Sequence, residues 1–413
     1  MTRTLAFTSA AQNYLPKVRK LFASLRQHHP EFELVLALAD EPHASVDFSK
    51  EPLDRVIALR DLAVPDLRPW TFFHSIVELS TAIKPYVLEL LLAEPGVDRV
   101  LYFDPDMVVF SRLDDLLANL DAANLALTPH LTMPESTLDA VRDNEIAALK
   151  HGIYNLGFLG VRPTPEGRRF ARWWRERVHH FCVADIPGGL FTDQRWVDLA
   201  PAFFDGVAIL KNPRFNVATW NLTQRQLAGN AGLGYTVNGE PLGFYHFTGF
   251  DSGAHQVMMG KNSGGNATAA ELVRWYAEAA RFDEDEPVAR IPWAYGRYSD
   301  GTPIPLAHRR LYRLRPDLQA VFPDPFDASR GGLLGWMRTQ GPAEHPDFFP
   351  VVGAKGGGST ESPRSGAWQV LAQLSSPEVR RWRWVQVREH WRRGGLRGVL
   401  AAAWRRLARS GRW

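Results

Sequence analysis

Cysteine is nearly absent from the sequence, in which Cys182 is the single cysteine among 413 residues. An intrachain disulfide is therefore excluded, and the composition predicts a reducing compartment. The N-terminal residues lack an apolar core long enough for a signal peptide, and no run of about 18 apolar residues occurs. The sequence therefore predicts a cytoplasmic chain without a transmembrane helix.

Acidic residues are nearly absent from the C-terminal tail. Residues 379–413 hold 11 Arg and one acidic residue, Glu389, so the formal charge of the tail is +10. The net charge of the chain is +3, which leaves −7 for the remainder and gives no indication of a nucleic-acid partner. Residues 396–407 predict a basic amphipathic helix that suits an anionic membrane surface, such as the inner face of the cell membrane. A solvated helix, or one packed on a partner, is the alternative.

Strand-like and helical patterns alternate along the chain. The apolar fraction of 45% is that of a globular protein. Strands are predicted at 4–8, 33–39, 55–58, 100–103, 107–110, 125–127, 154–161, 208–210 and 243–247. Helices are predicted at 13–28, 75–93, 113–120, 166–178 and 269–280, with a kink or a start at Lys84-Pro85. This order predicts a layered α/β domain with a mostly parallel sheet.

Two carboxylates follow the central strand, in DRVLYFDPDMVVF at 98–110. Pro105 cannot donate to a sheet ladder, so the first strand should end there and leave Asp104 and Asp106 at its carboxyl end. Ligands bind outside this end in open α/β sheets, and carboxylates suit Mg²⁺ or Mn²⁺ bound to phosphate oxygens. An ordinary Asp-Pro-Asp turn is the alternative.

Other polar residues could complete such a site. His246 ends a predicted strand, and its imidazole could be a third ligand of the ion. Asn155 and Gly157 interrupt the apolar run 154–161, where a buried amide needs partners and a glycine marks a close approach. Lys84 could contact a phosphate or a sugar. The alternatives are a core histidine, an asparagine satisfied by backbone and a solvated lysine.

Two helix starts and three irregular segments are also predicted. Thr192 is expected to cap a helix that begins at Asp193-Gln194, and Thr268 a helix at 269–280. The Gly-rich residues 260–266 suggest a mobile lid or a linker. Residues 290–330 suggest an irregular appendage packed on the core, and 355–366 have linker composition.

Taken in order, these motifs resemble those of metal-dependent glycosyltransferases of the GT-A fold, most closely the retaining family 8 type. The resemblance rests on Asn13-Tyr14, VLYFDPDMVV at 100–109, YNLGFLGV at 154–161, Asp193-Gln194 and HFTG at 246–249. They correspond to the family's nucleotide-contacting Asn-Tyr, its Asp-x-Asp strand, its Asn-Ala-Gly strand, its Asp-Gln pair and its metal-binding His motif. The chain departs from the family at Ala11-Gln12, Leu156 and Phe250-Asp251-Ser252, where the family has an acidic residue, an alanine and Lys-Pro-Trp.

The resemblance implies a Rossmann-like mixed, mostly parallel sheet flanked by helices, with an irregular and helical C-terminal extension. It implies transfer of a hexose from a nucleoside-diphosphate sugar, with UDP favoured, to a glycan or lipid-linked acceptor, with retention of configuration. Asp104, Asp106 and His246 would hold Mn²⁺ or Mg²⁺, and Gln194 and Asp193 would act at the sugar. The implied donor-binding residues are Thr8, Asn13, Tyr14, Lys84, Asp104, Asn155, Gly157, Gly249 and Lys261.

The implied organisation is a glycosyltransferase domain at 1–255, an appendage at 256–345, a linker at 346–366 and a basic tail helix at 367–413. Two other functions remain open. A haloacid-dehalogenase-like phosphohydrolase would use Asp104 as the nucleophile and Asp106 as the general acid. The third hypothesis is a binding or scaffold protein that keeps the fold without catalysis.

Overall fold

The structure is a computed structural model that describes residues 2–279 and 286–349. The strands are β1 Arg3–Ala10, β2 Glu33–Leu38, β3 Arg55–Ala58, β4 Val97–Phe103, β5 Met107–Val109, β6 Leu125–Pro129, β7 Tyr154–Val161, β8 Ala184–Asp185, β9 Leu190–Phe191, β10 Val207–Ile209, β11 Leu227–Asn230, β12 Gly234–Val237, β13 Glu240–Pro241 and β14 Phe244–His246.

The α-helices are α1 Leu15–His28, α2 Leu67–Phe73, α3 Ile76–Ala82, α4 Lys84–Leu92, α5 Asp114–Asp121, α6 Leu138–Ala140, α7 Ile146–His151, α8 Pro165–Phe181, α9 Gln194–Val197, α10 Ala200–Phe203, α11 Ala254–Asn262, α12 Ala267–Ala279, α13 Leu306–Leu314, α14 Pro316–Val321, α15 Leu333–Thr339 and α16 Gly341–Glu344. The 3₁₀ turns are Gln12–Tyr14, Phe48–Lys50, Leu59–Asp61, Thr219–Asn221, Pro287–Arg290, Ala294–Gly296 and Pro346–Phe348, and Val141–Glu145 forms a π-helix.

The central sheet, within the described residues, has seven strands in the order β10-β6-β7-β4-β1-β2-β3. Strands β4, β1, β2 and β3 run parallel to one another, and β10 is parallel to β6. Strand β7 lies between these two groups and runs antiparallel to both β4 and β6. This arrangement confirms the predicted α/β class with a mixed, mostly parallel sheet.

The reversal of β7 determines which residues meet at one edge of the sheet. The carboxyl ends of β1 and β4 lie at the same edge because these strands are parallel. Strand β7 is antiparallel, so its amino end lies there too, and Phe103 is paired with Phe158. Asp104 donates its backbone N–H to the carbonyl of Gly157 (2.7 Å). The polar residues at the start of β7 therefore lie beside those at the ends of β1 and β4.

Helices cover both faces of the sheet. In β1, Leu5 and Phe7 belong to one buried apolar cluster and Ala6 to a second cluster, as the alternation of a strand requires. The first cluster includes residues of α4 and α8, and the second includes residues of α1 and α5. Sheet and helices thus form the layers that hold the polar edge in place.

The helix predicted at 75–93 is interrupted at the predicted place. Helices α3 and α4 are separate, and Lys84-Pro85 begins the second one, where proline is tolerated. Ser75 caps α3 by accepting a hydrogen bond from the N–H of Glu78 (3.3 Å), and the Glu78 carboxylate accepts one from the N–H of Ser75 (2.8 Å).

Three local predictions are wrong. Thr192 does not cap α9: its φ is +47°, and its hydroxyl donates to the carboxylate of Asp193 (3.1 Å). Thr268 lies within α12, and Asn266 instead accepts the N–H of Ala269 (2.9 Å). The residues at 260–262 are not a linker but the end of α11, where the buried Asn262 amide donates to the carbonyl of Thr219 (2.8 Å).

The described C-terminal residues pack on the core. Among the described residues, 2–248, 258–279 and 286–349 form one compact unit, while Gly249–Val257 is grouped apart and is described by itself. Arg309 of α13 donates to the carbonyl oxygens of Phe72 (3.1 Å) and Tyr295 (2.5 Å). The predicted appendage is thus more helical than expected. The predicted linker at 355–366 and the tail helix lie outside the described residues.

A search of residues 2–279 and 286–349 for membrane spans finds no helix with the required length and apolar character.

Candidate metal centre

A tight turn and a short second sheet build the centre. After β4, the N–H of Met107 donates to the carbonyl of Asp104 (3.0 Å), closing a turn with Pro105 at its second position. The chain then continues into β5, which is antiparallel to β14, with His246 paired opposite Met107. The N–H of Phe247 donates to the carbonyl of Asp106 (2.9 Å). Backbone pairing therefore delivers the imidazole to the two carboxylates.

Asp104, Asp106 and His246 present one ligand atom each within 4.8 Å of one another. The Nε2 atom of His246 lies 3.0 Å from Asp106 Oδ1 and 3.6 Å from Asp104 Oδ2. Two carboxylate oxygens and one imidazole nitrogen are a donor set that Mn²⁺ or Mg²⁺ accepts. These three residues fit a divalent cation, as the sequence predicted.

Asn155 fixes the orientation of the imidazole. Its Oδ1 atom lies 3.1 Å from His246 Nδ1, while its Nδ2 atom faces Gln194 Oε1 (3.4 Å) and His130 Nε2 (3.3 Å). Because an amide oxygen can only accept, Nδ1 of His246 carries the proton and Nε2 is directed at the carboxylates. The Asn155 amide therefore has side-chain partners, and its Oδ1 also accepts the N–H of Gly157 (3.3 Å), so the alternative of satisfaction by backbone alone does not describe it. Its predicted contact with a ligand hydroxyl remains a prediction.

Gly157 leaves the space in which the His246 imidazole and the Asn155 amide meet. A Cβ atom at this position would lie 2.4 Å from Met107 Cε, 2.7 Å from His246 Cε1 and 2.8 Å from Asn155 Oδ1. Any larger residue would displace the imidazole or its partner. The predicted close approach at this glycine is therefore an approach of protein side chains.

Opposite charges dominate the electrostatics of the centre. Burial raises the pKa of Asp106, but the charge and hydrogen bond of His246 and the charge of Lys17 outweigh it, so that the pKa is lowered to about 2. Burial lowers the pKa of His246, and the charges of Asp106 and Asp104 reverse this into a raised pKa. Asp106 is consequently ionised throughout the neutral range, which is the form that binds a cation.

Lys84 is a buried link between two carboxylates. It is 2% exposed, and its Nζ lies 3.3 Å from Asp104 Oδ1 and 3.2 Å from Asp193 Oδ2. Burial lowers the pKa of Lys84, but the charges of Asp104 and Asp193 raise it well above its ordinary value. Nζ also donates to the carbonyl of Leu156 (3.2 Å). The lysine therefore remains charged and holds the two acids in a common position.

Gln194 uses both ends of its amide on the protein. Its Nε2 donates to the carbonyl of His151 (3.0 Å), and its Oε1 accepts from the N–H of Leu156 (2.9 Å). It lies beside Asn155, so the two residues belong to the same cluster as the metal ligands. Its predicted role at the sugar remains a prediction.

Two polar atoms without a partner lie near the carboxyl end of β1, one within the strand and one after it. Thr8 Oγ1 and Asn13 Oδ1 are buried and make no hydrogen bond within the described part of the chain. Tyr14 lies next to Asn13, with the ammonium of Lys17 4.1 Å from its ring centre. Unpaired buried oxygens at a strand end are available to a ligand.

Lys261 and Gly249 are the remaining predicted donor-binding residues. Lys261 lies in the last turn of α11 and pairs with Asp143 (2.6 Å). Gly249 has a φ of +70° and begins the segment Gly249–Val257, which is grouped apart.

The sequence argument overlooked several neighbours of the centre. Tyr102 donates its hydroxyl to Asp104 Oδ1 (2.5 Å), and the Trp220 ring is 5.6 Å from that of His246. Lys17 acts on Asp106 through its charge. Tyr102 could have been found, because it lies two residues before Asp104, on the same face of the strand. No local pattern marks Trp220 or Lys17.

No protein-family model matches the chain. Two proteins of Bacillus subtilis (strain 168), both described only as uncharacterized, are similar in sequence. YfnD is 26% identical over 250 residues, which cover 59% of this chain and 76% of YfnD. YfnF is 28% identical over 177 residues, which cover 42% of this chain and 57% of YfnF. The matched part thus spans little more than half of YfnF.

Two solved structures are similar to parts of the chain. The galactosyltransferase LgtC, in complex with donor and acceptor sugar analogs, is 16% identical with a TM-score of 0.38, covering 67% of this chain and 95% of LgtC. The glycosyltransferase GlyE of Streptococcus pneumoniae TIGR4 is 17% identical with a TM-score of 0.39, covering 68% of this chain and 64% of GlyE.

Proposed function

We propose that this protein is a metal-dependent glycosyltransferase that moves a hexose from a nucleoside-diphosphate sugar to a glycan or lipid-linked acceptor. The observation that carries the proposal is the convergence of Asp104, Asp106 and His246 at the sheet edge that also holds unpaired polar atoms of Thr8 and Asn13. UDP as the nucleotide, and retention of configuration, follow from the motif resemblance.

Asp104, Asp106 and His246 would hold Mn²⁺ or Mg²⁺. A bound divalent ion supplies Lewis-acid stabilisation of the negative charge on a leaving diphosphate. The protein contributes orientation: Asn155 keeps the Nδ1 proton of His246 away from the ion, and Tyr102 donates to the Asp104 oxygen that also faces Lys84. Each ligand therefore reaches the site with its geometry already set.

Thr8, Asn13 and Tyr14 would contact the nucleotide. Asn13 and Thr8 offer oxygens that can accept hydrogen bonds from a base or ribose, and Tyr14 offers a ring face. Burial of these groups would make the site selective, because a buried acceptor left unpaired penalises a ligand without the matching donor.

Asp193 would act at the sugar. Burial raises the pKa of Asp193, and the charge of Lys84 partly offsets this. A carboxylate held beside Asp104 by a common lysine can accept hydrogen bonds from sugar hydroxyls near the diphosphate. Gln194 would hold the start of β7 in place for this contact through its hydrogen bond to the N–H of Leu156. Lys84 would position Asp104 and Asp193 and would not bind the sugar directly.

The phosphohydrolase alternative requires Asp106 to deliver a proton. The lowered pKa of Asp106, about 2, keeps this carboxylate ionised at neutral pH, which is unfavourable for a general acid. The inactive-scaffold alternative is an outcome of the experiment below.

The experiment is a donor screen with purified protein, Mn²⁺ and a panel of UDP-, GDP- and dTDP-sugars, measuring the nucleoside diphosphate released. We expect slow release from one donor, abolished by EDTA and by Asp106→Ala. Asp98→Ala is the matched control, because Asp98 is an exposed residue at the opposite end of the same strand. No release from any donor, with no change of melting temperature on adding UDP and Mn²⁺, would favour the scaffold hypothesis.

A further inference from the structure

A second cavity, of about 450 Å³, lies between the loop that carries Arg225 and the turn before α12. Carboxamide side chains dominate its lining, together with one cation, and no carboxylate lines it. The carboxamides and the cation are Gln224, Gln226, Asn238, Asn262, Asn266 and Arg225. Amides donate and accept hydrogen bonds without charge, as sugar hydroxyls require.

Arg225 is a buried cation without a counter-charge among the described residues. It is 3% exposed, its Nη1 donates to the carbonyl of Phe215 (2.5 Å), and its Nε has no partner within residues 2–279 and 286–349. Burial lowers its pKa to about 9, with no acidic group acting in the other direction. The other cation of this region, Lys261, is paired with Asp143. A buried guanidinium of this kind is stabilised by an anion that binds it.

Gln224 requires that the ligand also carry a hydrogen-bond donor. Its Nε2 donates to the carbonyl of Met133 (2.6 Å), whereas its Oε1 is buried and accepts no hydrogen bond in the described part of the chain. A fully deprotonated anionic group cannot donate a hydrogen bond to this oxygen. A ligand that carries both an anionic group and a hydroxyl satisfies the two side chains together.

We propose that this pocket binds a sugar that carries a phosphate or carboxylate group. Arg225 receives the anionic group, and Gln224 and Gln226 receive the hydroxyls. The amides of Asn238, Asn262 and Asn266 already make hydrogen bonds within the protein and shape the wall of the pocket. The same loop carries Trp220, whose ring is 5.6 Å from that of His246. Arg225 is the fifth residue after Trp220, which is a distance of at most about 18 Å along an extended chain. On the proposed function, the pocket therefore selects an anionic acceptor glycan.

The test measures melting temperature and binding heat of the full chain with glucose 6-phosphate, glucuronate, glucose and inorganic phosphate. We expect glucose 6-phosphate or glucuronate to raise the melting temperature, and which of the two does so identifies the anionic group. Arg225→Met should weaken that binding by about tenfold to a hundredfold, because it removes a charged hydrogen-bond donor. Arg274→Met, which removes an exposed cation from α12, should leave binding unchanged.

Several results would overturn the proposal. They are a full shift with inorganic phosphate alone, no shift with either anionic sugar, or equal binding by Arg225→Met. Loss of the shift caused by UDP and Mn²⁺ in Arg225→Met would assign Arg225 to the donor site and also overturn it. If UDP and Mn²⁺ give no shift while an anionic sugar does, the glycosyltransferase proposal fails and the anionic-sugar site stands.

A measurement on the unaltered protein tests the proposal even if Arg225→Met does not fold. Binding of the anionic sugar should weaken as NaCl is raised, because a charge pair contributes to it. Affinity that is independent of salt, or equal for glucose and the anionic sugar that raises the melting temperature, would contradict the role of Arg225. Arg225→Met itself should melt at the same or a higher temperature, since an unpaired buried charge is removed.

Discussion

A substitution at Gly157 tests the geometry of the metal centre. In Gly157→Ala, the new Cβ would overlap Met107 Cε and His246 Cε1. We expect a loss of about 1–3 kcal/mol in the free energy of unfolding. We also expect the affinity for Mn²⁺ to fall about tenfold or more, because the imidazole is displaced. Denaturant unfolding and calorimetric titration with Mn²⁺ measure the two effects.

Gly160→Ala is the matched control for this substitution. Gly160 lies on the same strand, and the atom nearest to its added Cβ would be Leu120 Cδ2, the end of a flexible side chain, at 3.0 Å. We expect a stability change without a change in Mn²⁺ affinity. If the two variants bind Mn²⁺ equally, the steric account of His246 is wrong.

The position of a single residue was predictable where the local sequence marks the end of a strand. Asp104 and Asp106 follow an apolar strand, and His246 ends another, so the sequence predicted these three residues as candidate ligands from strand ends together with the motif order. The partner of His246 was not predictable, because the bond to Asn155 depends on β7 running antiparallel to its neighbours. Likewise, the left-handed backbone of Thr192 is set by tertiary contacts, which its good capping propensity does not reveal.

Helix α13 is the element that joins the C-terminal residues to the core. Tyr312 is fully buried, its ring is 5.2 Å from that of Phe72, and its hydroxyl donates to the carbonyl of Phe322 (2.7 Å). Tyr312→Ala should lower the free energy of unfolding by about 3–5 kcal/mol, through the cavity and the lost hydrogen bond. Thermal and urea unfolding measure this change.

Leu314→Ala on the same helix is the control, since Leu314 is 68% exposed. It should change stability by less than about 0.5 kcal/mol. Equal losses in the two variants would mean that α13 does not dock through Tyr312. The sequence predicted an irregular appendage here because prolines and arginines obscure the short helical periods of α13 and α14.

The whole molecule should lose stability as the pH falls below 6.5. Burial and nearby positive charges lower the pKa of His179 and His308 to about 4, from an ordinary value of 6.5. The unfolded chain binds protons at these positions that the folded chain does not, so the stabilisation is present above pH 6.5 and is lost as the pH falls towards 4. Each histidine contributes a slope of at most about 1.4 kcal/mol per pH unit. Urea unfolding between pH 4 and 7.5 measures it.

His308→Asn tests this slope, because asparagine does not titrate and its amide oxygen can replace the acceptor for the hydroxyl of Tyr298, now 2.8 Å from His308 Nδ1. We expect a flatter dependence of stability on pH. An unchanged slope would show that His308 does not titrate in this way.

The basic tail gives a prediction based on sequence alone. Deleting residues 379–413 removes a formal charge of +10. Binding to vesicles that contain anionic lipid should fall, and binding to neutral vesicles should stay low. Equal sedimentation of both proteins with anionic vesicles would reject a membrane role for the tail.

Binding of UDP, measured by calorimetric titration with and without Mn²⁺, tests the central claim most directly. The claim is that Asp104, Asp106 and His246 hold the ion through which this chain binds a nucleoside diphosphate. We predict binding with Mn²⁺, weakened about tenfold or more by omitting the ion or by Asp106→Ala, and unaffected by Asp98→Ala. UDP affinity that is the same without metal and in Asp106→Ala would contradict the account.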